Sequence, residues 1–178
     1  MTRKRIIALL AIAGLAAFLL VAGHAWARAT RTEFTGVQVS YVPTGPPARV
    51  WFTGLFNPSP NSKVTLHIRD MVNYNIFEAD DPRMDGEAYV TLDINAEFLG
   101  MGPQGPILGD GTFHVTTVFY PWTIDGTWEC SGAGTLTDGV GSGRQVGHGT
   151  GELEGQILKW YLIDDVESFG SILEPHGD

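Results

Sequence analysis

One cysteine, Cys130, stands in 178 residues, so the chain cannot close a disulfide on itself. Such a lone thiol is packed in a core, left free and reactive, or paired with another chain. Its place beside Trp128 in an expected strand favours packing, because free cysteine is among the most often buried residue types. Positive charge is also scarce. Eleven Lys and Arg face twenty Asp and Glu, for a formal charge of −9, and the basic residues are scattered along the chain. That distribution excludes the basic patch by which proteins hold nucleic acid or anionic lipid. Past residue 27, no segment of helical length repeats its apolar residues every 3.6 positions.

Motifs for chemistry are missing as well. His67, His114, His148 and His176 have no second or third ligand at metal-site spacing, and His67 and His114 fall out of phase with the apolar residues of their strands. They read as surface or satisfied strand histidines. Ser142, in Val140-Gly141-Ser142-Gly143, stops two positions short of a nucleophile elbow. The glycine-rich run from Gly139 to Gly151 has no Walker lysine and no helix after it, so it does not read as a phosphate cradle. No cofactor or metal is implied, and enzymatic activity has no motif to carry it. A Ser-His-Asp triad drawn from distant positions would leave no mark in the sequence.

What is present begins at the N-terminus. Arg3, Lys4 and Arg5 precede an unbroken apolar run, residues 6–23, and then Ala25-Trp26-Ala27. A positive start, an apolar middle and a small-x-small site describe a secretory signal peptide. The protein is therefore expected outside the cytoplasm, with residues 1–27 removed and 28–178 forming one domain. At 18 residues the apolar run is also long enough to remain as a membrane anchor, and membrane contact is expected only through it. Cleavage removes three cations and no acid, taking the formal charge to −12.

The remainder reads as all-β. From Ala88 the even positions are Ala88, Val90, Leu92, Ile94, Ala96 and Phe98, while Glu87, Tyr89, Thr91, Asp93, Asn95 and Glu97 alternate with them. Period two over that length is a strand with one face on a core. Val64, Leu66, Ile68, then Phe113, Val115, Phe119, and then Leu158, Trp160, Leu162 repeat the signal. Asn57–Ser62 breaks the chain, Asp81–Gly86 precedes the longest strand, and Asp110-Gly111, Asp125-Gly126 and Asp138-Gly139 suit tight hairpins. A short helix, with acidic residues at its start, is expected over Asp165–Leu173. Seven to nine strands at hairpin spacing, rich in glycine, point to an antiparallel barrel of about eight strands rather than a flat sheet.

Glu78, Asp80, Asp81 and Asp85 form an acidic turn that reads as a solvated hairpin. Its carboxylates suit calcium, but Leu92 stands where a bidentate glutamate would be required. Asp93 and Glu97 share a strand face, and Glu129 flanks Trp128; an exterior polar surface accounts for all three. Trp51, Trp122, Trp128 and Trp160 are the best candidates for ligand contact, lining an apolar cavity or filling the core.

Arg144-Gln145-Val146-Gly147-His148-Gly149-Thr150-Gly151-Glu152-Leu153-Glu154-Gly155, with Asp81-Pro82-Arg83 upstream, resembles a group of small exported bacterial proteins. Its glycine-punctuated hairpin is also similar to the allene-oxide-cyclase-like and dirigent barrels. That resemblance implies an eight-stranded barrel around a small hydrophobic molecule, often in an oligomer. No cyclase or dirigent catalytic residue maps onto a matching motif. Three readings follow. A barrel could bind, or isomerise, a small apolar ligand inside itself. An envelope or cell-surface module would instead recognise protein or glycan through its loops, with a filled core and Trp122 or Tyr120 exposed. A small outer-membrane barrel fits Ala88–Phe98 but not the glycine-broken strands from Gly126 onward.

Overall fold

The alternation of Gly86–Gly102 resolves into an inside and an outside. Ala88, Val90, Ile94 and Ala96 are buried, Tyr89 is exposed, and Thr91, Asp93, Asn95 and Glu97 are partly exposed. The computed structural model describes residues 29–54, 63–103 and 105–175. The expected signal or anchor segment, the Asn57–Ser62 break and His176 lie outside the described residues. Nine strands follow in order: β1 Thr30–Pro43, β2 Arg49–Thr53, β3 Thr65–Ala79, β4 Gly86–Gly102, β5 Gly105–Pro121, β6 Trp128–Thr137, β7 Val140–Gly149, β8 Ile157–Ile163 and β9 Glu167–Glu174.

Each strand from β3 to β9 pairs antiparallel with the next, and β1 lies between β9 and β3. Eight strands thus close into a barrel, and β2 is left over, paired only with the first part of β3. Closure removes the exposed edges that a linear sheet of this length would carry, except at β2, which has β3 alone as its neighbour among the described strands. The polar face of β4 is on the outside, the reverse of the apolar-out pattern of a barrel in lipid.

Register within β3 changes midway. Leu66 and Ile68 face the core opposite Ala96 and Ile94, but pairing skips between Ile68 and Met71, where Asp70 takes φ 54°. This bulge reverses the phase, so Met71, Asn73, Asn75 and Phe77 face inward beyond it, opposite Leu92, Val90, Ala88 and Gly86. The barrel centre is aromatic. Phe77 meets Trp160 edge-on at 4.8 Å between centroids, and Phe119 lies 6.0 Å from Phe77 and 6.1 Å from Trp160. Each such fully buried ring contributes about 1.5–3 kcal/mol through the area it removes from water.

Hairpin chemistry departs from expectation at three places. Asp138-Gly139, with φ 50° and 83°, makes the expected mirror-image turn between β6 and β7. Asp110-Gly111, by contrast, does not turn; it lies inside β5, where a Cβ on Gly111 would come within 2.6 Å of the Ala96 Cα. Asp125-Gly126 sits in the loop between β5 and β6 and has no positive φ. The third departure is the C-terminal helix. Asp164 and Asp165, at φ 51° and 59°, form a tight turn, and the following residues pair with β8 as β9, Glu167 opposite Ile163 and Leu173 opposite Ile157. Paired acidic residues serve a hairpin turn as well as a helix start, and here strand pairing decides. Among the described residues the helical structure is one 3₁₀ turn, Gly151–Leu153, and no helix is long and apolar enough to cross a membrane.

The connections β3–β4, β5–β6 and β7–β8 gather at one end, here the lower, and β4–β5, β6–β7 and β8–β9 at the other, the upper. The lower end is sealed. Asp81 Oδ1 accepts from the Arg83 backbone N–H and Nε (both 2.9 Å), and Oδ2 accepts from Nη2 at 2.6 Å. Arg83 Nη1 also donates to Glu174 and to Gln156 Oε1. The Trp128 indole donates to the Arg83 carbonyl at 2.9 Å, and Met84 and Leu153 are buried beneath. Within the acidic turn, Glu78 and Asp80 are exposed as in a solvated hairpin, while Asp81 is buried as part of the plug. Burial alone would push the Asp81 carboxyl up, but the hydrogen bonds and charge of Arg83 outweigh it and hold it below the ordinary value. Among the described residues no cluster of three His, Cys, Asp or Glu is placed to hold a metal ion.

Candidate functional site

Above the aromatic centre the interior turns polar. The β3 bulge points Asn73 and Asn75 inward; they are 0% and 5% exposed. Asn75 Nδ2 donates to Gln38 Oε1 of β1 at 3.0 Å, and Thr117 Oγ1 of β5 donates to Gln145 Oε1 of β7 at 2.8 Å. Four polar atoms have no partner: both side-chain heteroatoms of Asn73, Asn75 Oδ1 and the Trp160 indole nitrogen. Each exposes less than 1 Å², so no water-sized space lies against it. A buried polar atom left unmatched costs about 1–3 kcal/mol, and native interiors rarely tolerate several together.

Nearer the upper end Leu66, Ile68, Ile94, Ala96, Phe113 and Leu136 are buried again, and the inward side chains that meet solvent lie beside the polar cluster. Met71, Leu92, Gln145 and Leu162 face inward yet are only half-buried. Tyr41, opposite Asn75 in the β1–β3 register, and Asp165, on the β8–β9 turn, stand at this rim. The Tyr41 hydroxyl approaches Asn73 without reaching hydrogen-bond geometry. Burial first, and then the charge of Asp165, push the Tyr41 phenol up. Asp165 accepts from the Gly141 N–H at 3.0 Å while its own N–H donates to the Gly141 carbonyl. Burial raises its carboxyl and the Asp164 charge adds to that, against the Gly141 hydrogen bond.

The four tryptophans do not share one place. Trp128 and Trp160 are interior, at 0% and 2% exposure; Trp51 on β2 and Trp122 after β5 lie outside, at 39% and 54%. Only Trp160 borders the polar cluster. Trp51 stacks on His67 with 4.9 Å between centroids and 11° between planes. Trp122 follows an outward ladder of tyrosines, with Tyr74 5.6 Å from Tyr89 and Tyr89 6.2 Å from Tyr120. Tyr74 donates to Glu87 Oε2 at 2.5 Å. Cys130 faces the core opposite Thr117 and Gly147, and burial pushes its thiol up to about 12.

The bulge hides Asn73 and Asn75 from a reading of the sequence. Continuing the phase of Val64, Leu66 and Ile68 would send Val72, Tyr74 and Ile76 inward and both asparagines out. The positive-φ Asp70 is the only local mark of the reversal.

Outside the barrel, Thr53, His67 and Asn95 form a hydrogen-bonded line across β2, β3 and β4. A hollow of about 690 Å³ opens on the outer wall, lined by Arg31, Asp80, Lys159, Tyr161, Phe169 and Ser171 among others. Neither the family models, nor the curated proteins, nor the solved structures contain a match to this chain.

Proposed function

We propose that the protein is an exported barrel that binds a small neutral molecule in its upper lumen. The apolar body of this ligand lies against Met71, Leu92 and Leu162, and its polar end meets Asn73, Asn75 and Trp160. The supporting observation is the set of four unpartnered polar atoms beside the inward side chains Met71, Leu92, Gln145 and Leu162, which are half-open to solvent. Carboxamides and an indole N–H offer donors and acceptors but no charge, which suits a hydroxyl or carbonyl rather than a carboxylate or ammonium group. Binding displaces Tyr41 from above Asn73, because the packed arrangement leaves no free space there. Export rests on the Arg3-Lys4-Arg5 start, the apolar run and the Ala25-Trp26-Ala27 site.

Native mass spectrometry of protein purified from its own host tests the reading. A bound organic molecule that is lost in Asn73→Leu supports it. Protein of bare mass, together with no binding of neutral hydroxylated or carbonyl-bearing apolar probes, overturns it.

The outer tyrosine ladder favours a second reading, a surface module for protein or glycan. Tyr89, Tyr120 and Trp122 are all exposed beside the β5–β6 loop. Protection of these rings from oxidative footprinting when the protein is on intact cells, with the lumen unchanged, would select it.

A further inference from the structure

Strand register builds a line of three side chains on the outer wall. Trp51 of β2 lies opposite His67 of β3, which lies opposite Asn95 of β4, and Thr53 reaches His67 diagonally from two residues along β2. Thr53 Oγ1 is 2.7 Å from His67 Nε2, and Asn95 Oδ1 is 2.7 Å from His67 Nδ1.

The direction of these bonds follows from Arg69. Its Nη2 lies 2.7 Å from Asn95 Oδ1, and a guanidinium only donates, so that Asn95 atom is the acceptor oxygen. His67 must then carry its proton on Nδ1. The lone pair of the neutral ring is left on Nε2, and the Thr53 hydroxyl donates into it. Arg69 is itself fixed, with Nη1 donating to the carbonyls of Ile68 (2.8 Å) and Ile94 (2.9 Å) and Nε 4.0 Å from Asp93. Trp51 covers the imidazole, and its ring centroid is 5.0 Å from the Arg69 guanidinium carbon.

We propose that Thr53 is an activated nucleophile and that this line is a second site, separate from the lumen, which transfers acyl groups from small aryl esters to water. A hydroxyl bonded to a base that a third group orients is the arrangement that activates a nucleophile. Thr53 Oγ1 bonds to the acyl carbon as its proton passes to His67 Nε2. The bond from that carbon to the leaving oxygen then breaks, and the leaving group takes the proton from Nε2. Water adds to the acyl-threonine in the same way, giving its proton to Nε2. The carboxylic acid departs, and the proton returns to Thr53.

Asn95 and Arg69 are positioning residues, since they act through His67. Of the cations beside the line, Arg69 is engaged as described and Lys63 pairs with Glu97 at 3.0 Å, while Arg49, opposite Arg69 on β2, is exposed to solvent. The exposed Trp51 ring offers a face to an aromatic leaving group.

The test is incubation of the full chain with p-nitrophenyl acetate, following nitrophenolate release and locating the acetyl group by peptide mass mapping. Acetyl on Thr53 is expected, kept in Thr53→Ser and lost in Thr53→Ala. His67→Gln should slow acylation at Thr53 by at least about 100-fold, the lower end of what a general base supplies. Asn95→Ala should lower kcat while leaving KM unchanged, because it frees the tautomer without touching substrate. Acetyl found only on lysines or tyrosines overturns the proposal, as does an unchanged Thr53 rate in His67→Gln. Should His67→Gln unfold the barrel, an unchanged rate in folded Asn95→Ala overturns it equally.

Discussion

Asn73 offers a sharp test of the polar lumen, through Asn73→Leu in protein stripped of ligand by solvent extraction. Both its heteroatoms are unpartnered, and its side chain faces Val90 in an interior that no water reaches. Leucine has the same branched skeleton and no polar atom, so the substitution removes an unmet desolvation penalty without opening a cavity, against the strain of methyl groups larger than the amide they replace. Because both Asn73 heteroatoms are relieved at once, a net gain of up to about 3 kcal/mol is expected. A domain of this length shifts its melting temperature by roughly 4 °C per kcal/mol, which gives a rise of up to roughly 12 °C. Urea unfolding at equilibrium should show a higher midpoint with an unchanged slope, the signature of altered stability rather than altered compactness. In protein carrying its ligand, the same substitution should lose both the ligand and the stabilisation that binding adds. A fall of more than roughly 12 °C in the stripped protein, beyond the about 3 kcal/mol that overpacking costs, would refute the reasoning, because it would mean that Asn73 has partners in the folded state and is not waiting for one.

Arg83→Ala should cost about 3–5 kcal/mol by leaving the Asp81 carboxylate buried without its partner, measured by the same unfolding curve. The folded Asp81 carboxyl lies below its ordinary value of 3.8, so its contribution is complete above pH 3.8 and is lost as pH falls through the folded value; an acid titration of stability should show that loss in the parent protein and not in Asp81→Asn. Asp165 has the opposite sign. Its folded value is raised, so ionisation above it opposes folding, and Asp165→Asn should stabilise at pH 7 with the difference shrinking as pH falls below the raised value. Cys130 should give no reaction with a thiol reagent at pH 8 in the folded protein and one equivalent in denaturant, because a buried thiol near 12 holds almost no thiolate.

Glu87–Phe98 alternates so strictly that its inner and outer faces are legible in the sequence itself, and the barrel follows from that and the hairpin spacing. Two departures from the sequence expectation share a cause. Asp164-Asp165 suits a helix start and Asp110-Gly111 a turn, but local chemistry admits a second outcome at each; pairing with a neighbouring strand chooses it. Asn73 and Asn75 leave no signal because a single extra residue at Asp70 exchanges inside for outside. His67 is legible as an outward strand histidine. Its link to Asn95 is not, since that depends on the register of two strands separated by the whole β3–β4 connection.

Ring closure sets the timing of folding. β1, near the start of the described chain, gains its second neighbour only from β9, near its end, so the barrel cannot close until Glu167–Glu174 has emerged. Before that moment β8 and β1 both offer raw strand edges, and the polar lumen is an open gutter. Contacts so distant in sequence close slowly, and open edges invite pairing with other chains. Arg83 reaches Glu174 in that same last strand, so the lower plug locks only after the ring is complete. A chain truncated before Glu167 should therefore behave as a sticky, unlocked sheet, which makes the final strand the step that turns an aggregation hazard into a container.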